Sequence, residues 1–350
     1  MKTIKDINVK DKIILLRTDY NVPIKNGKVE NDLRIRASLP TINYLLENGA
    51  RKIFIISHLG RPEGKENSDY TLSPVAKSLQ KLLPHQTVGF YPLPNNTEFK
   101  EIPEKIKIVL LENLRFNPGE EKNDLNFIKN LVNATGAEIY VQDGFAVTHR
   151  AHASTDAIKN FLPVYAGLLI EKEIINLEKI IKNPPKPLLL IIGGSKVEDK
   201  EPLIDKFTNI ANQIVVGGKI AADGYQSNNQ KIYVAEDFDE DVSGNKLDIG
   251  PFSTAKITDF IKDAKTIIWN GLLGKAEDPA YATASTIIAE ALGEKENSIT
   301  IICGGDTTGF VENLMKNHKN LNYSLVSTGG GAALEFLLGK ALPGLKAIQN

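Results

Sequence analysis

The chain has 350 residues, 42% of them hydrophobic, with 42 Lys and Arg against 43 Asp and Glu and a formal charge of −1. That length exceeds the usual size of one hydrophobic core and points to two domains of ordinary size. Charge balance gives no support to a broad nucleic-acid or membrane surface, so any anion chemistry must come from local clusters. The single cysteine, Cys303, has no intrachain partner and sits in an apolar run, which fits a buried strand end in a reducing compartment. No early run resembles a signal peptide and none approaches the ~20 apolar residues of a membrane helix, so a cytoplasmic protein is expected.

In chain order, short apolar or β-branched runs recur at 12–17, 53–57, 108–111 and 138–142. Between them lie stretches of helical spacing, such as Ile35, Leu39, Ile42, Leu45 and Leu46, a stripe that Gly49 ends. The second half repeats the rhythm at 188–192, 213–217, 266–271, 299–305 and 324–331. Such βαβ alternation predicts an α/β protein with parallel sheets, because parallel strands need crossover connections. Two doubly wound (Rossmann-like) domains are expected. The segment AGLLIEKEIINLEKIIKNPPKP is helical up to Lys182 and then meets Pro184-Pro185, which predicts a linking helix. The expected division is 1–168 with 340–350, a linking helix at 169–185, and 186–339.

In open α/β sheets ligands bind at the carboxyl ends of the strands, so the residues that follow each strand carry the functional information. In the first half these are Arg17 to Asn21, Ser57 to Pro62, Glu112 to Phe116, and Asp143 with His149, Arg150 and His152. A guanidinium matches carboxylate and phosphate oxygens bidentately, so arginines converging on one sheet edge suit a small polyanion. Any one of them alone reads more readily as a surface ion pair or a carbonyl cap.

In the second half glycines stand at the same places: Gly193-Gly194-Ser195-Lys196, Gly217-Gly218-Lys219, Asn270-Gly271 with Gly274, Gly304-Gly305-Asp306-Thr307, and Gly329-Gly330-Gly331. Bare backbone amides beside a helix start suit phosphate oxygens. Neither G-x-x-x-x-G-K-[ST] nor G-x-G-x-x-G occurs, so the P-loop and the dinucleotide fingerprint both fail. Asp306 reads as a magnesium ligand or as a helix N-cap. His149 and His152 lack the companions of a metal site, and no Ser-His-Asp pattern is present.

These runs resemble the phosphoglycerate kinase family, in order, through nearly the whole chain. The resemblance rests on RTDYNVPI at 17–24, DLRIRASLPTI at 32–42, SHLGRP at 57–62, LLENLRFNPGEE at 110–121, DGFAVTHRAHAST at 143–155, IIGGSKVEDK at 191–200, LDIGP at 247–251, WNGLLGKAED at 269–278, CGGDTTG at 303–309 and STGGGAALEFLLGKALPG at 327–344. It implies a monomeric enzyme that exchanges a phosphoryl group between 1,3-bisphosphoglycerate and ADP with Mg2+, without nucleic-acid or membrane partners. It implies acid-substrate contacts from Asp19, Asn21, Arg34, His58, Arg61, Arg115 and Arg150. Nucleotide contacts would come from Gly194, Lys196, Lys200, Gly218, Asn270, Glu277, Gly304, Gly305, Asp306, Thr307, Gly329, Gly330 and Gly331, with Asp306 on the metal. Arg34, Lys196, Lys200 and the Gly330 amide are implied to act on the transferred group, by direct in-line transfer after hinge closure.

The chain departs from the family in the second half. Leu272 replaces a usual proline, Lys275-Ala276 an apolar pair, Ala284-Ser285 a glycine-threonine pair, and Lys219 a glycine near the base. Only about fifty residues separate Gly218 from Trp269, which implies a missing or reduced helix. The competing expectations are a binding homologue without turnover and, from the fold alone, an oxidoreductase.

Overall fold

A computed structural model describes residues 1–94, 99, 102–318 and 320–349. The chain divides into two compact units, Met1–Glu173 with Ala341–Asn350, and Ile174–Lys340. Asn350, the end of the expected tail, lies outside the described residues.

Unit 1 is built on six parallel strands: β1 Ile13–Arg17, β2 Lys52–Ile56, β3 Val88–Tyr91, β4 Ile108–Leu111, β5 Ile139–Gln142 and β6 Val164–Ala166. Their order across the sheet is β3-β4-β2-β1-β5-β6. The central strands are buried along almost their whole length, as a parallel sheet covered on both faces requires. Ile14, Leu16, Ile55, Leu110 and Val141 lie in its core with Ile35, Ile42 and Leu45 of the helix Leu33–Glu47. The chain returns to this unit at the end, where the Gly344 amide donates to the Thr148 carbonyl at 2.9 Å.

Unit 2 carries β7 Leu188–Ile192, β8 Gln213–Val216, β9 Ile232–Val234, β10 Thr266–Asn270, β11 Ile299–Cys303 and β12 Leu325–Val326. They too are parallel, in the order β9-β8-β7-β10-β11-β12. This is the doubly wound order, which reverses between its first and fourth strands. Trp269, Ile191, Val215 and Ile302 anchor a separate core. The reduced connection expected after Gly218 takes the form of a five-residue helix, Gly218–Ala222, between β8 and β9. A short antiparallel pair, Phe238–Glu240 with Lys246–Ile249, follows. The helix Leu168–Lys182 ends just before Asn183 and the two prolines. Among the described residues no helix is long and apolar enough to cross a membrane.

Candidate functional site

Strand register sets up each site. In unit 1 Arg17 is level with Ile56 and with Gln142, so Thr18, Ser57 and Asp143 leave the sheet side by side where the strand order reverses. Arg34 reaches this edge from the first turn of the helix Leu33–Glu47 and pairs with Asp19. His58 lies beside Arg17, Nδ1 to Nη2 3.4 Å, and 3.9 Å from Asp19. Arg115 donates to the Gly60 carbonyl at 2.7 Å and faces Glu121 at 3.1 Å. The Gly60 amide donates to Asn21 Oδ1 at 2.9 Å, and the Arg150 Nε to His149 Nε2 at 3.1 Å.

Histidine electrostatics show how tightly these cations converge. Burial, then the charges of Arg17, Arg115 and Arg34, hold the His58 imidazole well below its ordinary range. Burial, then Arg115, Arg17 and Arg150, bring His152 down to about 4. Both rings are therefore neutral near pH 7, and guanidiniums supply the positive charge. Of the expected residues, Asp19, Asn21, Arg34, His58, Arg115 and Arg150 stand at this edge, and Arg61 is exposed on the loop after β2.

In unit 2 Asn270 is level with Ile192 and Cys303, and Val216 with Ile192, so Gly193, Gly217, Gly271 and Gly304 share one edge. A cavity of about 440 Å3 opens there, lined by Gly194, Lys196, Lys200, Gly218, Glu277, Gly304, Gly305, Asp306 and Thr307 among others. Nine of the expected nucleotide residues thus share one space. Asn270 is fully buried beneath it; its Oδ1 takes a hydrogen bond from Lys200 Nζ, while its Nδ2 has no partner and lies under Gly304. Burial holds the Lys200 ammonium below its usual range, with Asp199, Cys303 and Asp306 opposing that shift. Gly329 to Gly331 are not among the lining residues.

The glycines serve two purposes. A Cβ on Gly193 would stand 2.2 Å from the Leu272 carbonyl oxygen, and one on Gly271, whose φ is +99°, 2.1 Å from the Gly193 oxygen. These glycines let two turns of backbone pack on each other. Gly305 has no atom within 4 Å of such a Cβ, so its backbone is bare toward the cavity. The N-cap of the helix Gly305–Asn317 is Gly304, which corrects the reading of Asp306 as the cap: Asp306 is two residues further in and exposed. Thr307 is tied up structurally, its hydroxyl oxygen accepting the Gly271 amide at 2.8 Å.

Among the described residues no three His, Cys, Asp or Glu side chains cluster to cage a metal. Asp306, exposed beside Gly305 at the cavity, instead fits a magnesium ion shared with phosphate oxygens. Sequence reasoning missed Asp248, whose buried carboxylate takes the Ala284 amide at 3.0 Å while lining the cavity, and whose burial raises it to about 6. It also missed Phe238 and Lys246, stacked 4.6 Å apart at the cavity wall. Lys219, noted as a departure, is ion-paired with Asp223 at 2.6 Å.

The sequence profile described as phosphoglycerate kinase matches residues 4–242 and 221–340. The chain belongs to the phosphoglycerate kinase family. It is 38% identical to the phosphoglycerate kinase of Borrelia garinii subsp. bavariensis over 402 aligned positions spanning all of both chains. It is 38% identical to that of Moorella thermoacetica, with 99% of each covered. The 402 aligned positions exceed the 350 residues of this chain, so at least 52 of them fall opposite gaps in it. Among solved structures, phosphoglycerate kinase from Coxiella burnetii superposes with a TM-score of 0.78 at 33% identity, covering 99% of this chain and 98% of that one. The Pyrococcus horikoshii OT3 enzyme gives 0.85 at 27% identity, covering 100% and 98%.

Proposed function

We propose that the chain catalyses reversible phosphoryl transfer between 1,3-bisphosphoglycerate and ADP, giving 3-phosphoglycerate and ATP. The observation that carries this reading is the contrast between the two sheet edges. One gathers Arg17, Arg34, Arg115 and Arg150 around two neutral histidines; the other opens bare amides, Lys196 and Lys200 into one cavity. A small carboxylate-bearing phosphate suits the first, and a nucleotide polyphosphate the second.

On this reading residues 1–168 and 340–350 form the acid-substrate domain, 169–185 the linker and 186–339 the nucleotide domain. Asp19, Asn21, His58, Arg61, Arg115 and Arg150 hold the acid. Arg34, Lys196, Lys200 and the Gly330 amide stabilise charge on the phosphoryl group in flight, and Gly329 and Gly331 complete that nest. Asp306 holds magnesium, which neutralises nucleotide phosphate charge when bound. Little covalent chemistry is asked of the protein, so rate comes from positioning and electrostatic stabilisation. Ligands held on separate domains must be brought together and water excluded, so closure through the linker precedes transfer. The enzyme is taken to work as a cytoplasmic monomer.

A coupled assay with 3-phosphoglycerate, ATP and magnesium, following NADH consumption, tests the reading. Substrate-dependent NADH loss is expected. Binding of both ligands without turnover would refute it.

A further inference from the structure

The chain also contains a buried ionic network beneath the arginine edge. Glu120 lies in the turn of helix Pro118–Glu121 and is fully buried, as are Ser154 and, to within 1%, Arg17. A carboxylate without water must be matched by donors, and here one residue supplies them. The Ser154 amide donates to Glu120 Oε2 at 3.0 Å and the Ser154 hydroxyl to Oε1 at 2.6 Å. That hydroxyl oxygen in turn accepts the Arg17 Nε–H at 2.9 Å. The Arg17 Nη2 lies 3.9 Å from Glu120 Oε1. Ser154 is therefore a relay with all its polar groups engaged, since its carbonyl accepts the Tyr140 hydroxyl.

The network clamps groups of the site from two sides. The Glu120 carbonyl takes the Ala153 amide at 2.9 Å, which fixes the segment that begins at Arg150. Within that segment the Thr155 hydroxyl donates to the Arg150 carbonyl at 2.6 Å and receives the His152 amide at 3.0 Å. Next along the same turn Glu121 faces Arg115. One helical turn thus sets Arg17, Arg115 and the Arg150 loop.

We propose that Glu120, acting through Ser154, is a positioning residue for the acid-substrate site: it holds Arg17 beside His58 and sets the Arg150 loop without touching the ligand. This rests on the phosphoglycerate kinase reading. Buried partners of this kind act by holding ligand-contacting groups within a fraction of an ångström of working geometry.

The test compares Ser154→Ala and Glu120→Gln with the parent in the coupled assay and by calorimetric titration of 3-phosphoglycerate alone. Ser154→Ala is expected to raise both KM and Kd for 3-phosphoglycerate about ten-fold, with KM for ATP unchanged. A merely structural role would lower the melting temperature and the active fraction and leave both KM values alone; that result overturns the proposal. If either variant does not fold, Tyr140→Phe removes only the hydroxyl anchoring the Ser154 carbonyl and carries the same expectation, at smaller amplitude, and the same refutation. A parent without turnover that still binds 3-phosphoglycerate defeats the functional reading, while the effect on Kd still decides the positioning role.

Discussion

The division of the glycines into those that serve the fold and those that serve the ligand can be tested by adding one methyl group at a time. In Gly271→Ala the new Cβ stands 2.1 Å from the Gly193 carbonyl oxygen, and φ at this residue is +99°. The backbone conformation alone costs roughly 1–3 kcal/mol for a residue with a Cβ, and forced overlap in a packed region adds about 1–3 kcal/mol. A total of roughly 2–6 kcal/mol should lower the melting temperature by roughly 4–24 °C in a domain of this size. In Gly305→Ala the same methyl meets no atom within 4 Å and needs no positive φ. A helical Ala is better than Gly by roughly 0.5–1 kcal/mol, so melting should hold or rise slightly. On the proposed reading the methyl would nevertheless stand where phosphate oxygens approach the helix start, and KM for ATP should rise about ten-fold, the loss of one charge-assisted hydrogen bond. Differential scanning fluorimetry and steady-state kinetics on the two variants decide the matter. Equal destabilisation by both substitutions, or a Gly271→Ala protein that melts like the parent, refutes the reasoning.

Arg34→Ala and Lys200→Ala are each expected to lower kcat by about 10²–10³-fold with melting nearly unchanged; near-normal turnover in either removes that residue from charge stabilisation. Asp306→Ala should raise the magnesium concentration needed for half-maximal rate, and an unchanged magnesium curve assigns the ion to another ligand. Burial raises the Asp143 carboxyl to about 7 although its Oδ1 accepts the Leu169 amide at 3.0 Å. The folded protein thus keeps a proton that the unfolded chain has lost above the ordinary carboxylate range, so this residue's contribution to stability declines as pH rises from about 4 through 7. Asp143→Asn mimics the neutral acid and does not titrate, so its melting temperature relative to the parent should increase between pH 5 and pH 8; a constant difference across that range would show that Asp143 is ionised throughout.

The strands were legible because parallel strands buried on both faces leave continuous apolar runs: 108–111 and 188–192 coincide with β4 and β7. The candidate sites were legible because the residues expected to meet ligands follow those strands directly, and register then brings them level. Strand order was not legible, since no residue pattern states which crossover goes where; the β3-β4-β2 arrangement of unit 1 came only with the structure. Glycine identity was ambiguous for a physical reason. Gly193 and Gly305 look alike in a sequence, yet one answers to a carbonyl oxygen and the other to open space. Glu120 was hidden because a carboxylate in an NPGEE turn reads as a solvated helix start. Its partner Ser154 lies 34 positions away, and only the fold brings them together. Arg17 carried the available signal: an arginine closing a buried strand has to find a counter-charge.

Placement of the shortened segment limits what it can affect. The five-residue helix Gly218–Ala222 joins β8 to β9, the outermost strand on its side of the sheet. The strand order reverses two strands inward, between β7 and β10, where Gly194, Lys200, Gly271 and Gly304 meet. A short connection at β9 therefore leaves in place the groups proposed to stabilise the transferring phosphoryl group. It alters the flank of the cavity instead, where Lys219 and Ala222 stand with Phe238 and Lys246. Lysine donors there replace the close backbone approach that a glycine at 219 would allow, and the Lys219–Asp223 ion pair is exposed enough to add little rigidity. The change should fall on nucleotide affinity and not on the transfer step. Measured against a full-length family member under one set of conditions, a raised KM for ATP with comparable kcat is the expected pair, and a reduced kcat at saturating ATP would mean that the trimming reaches the reversal point after all.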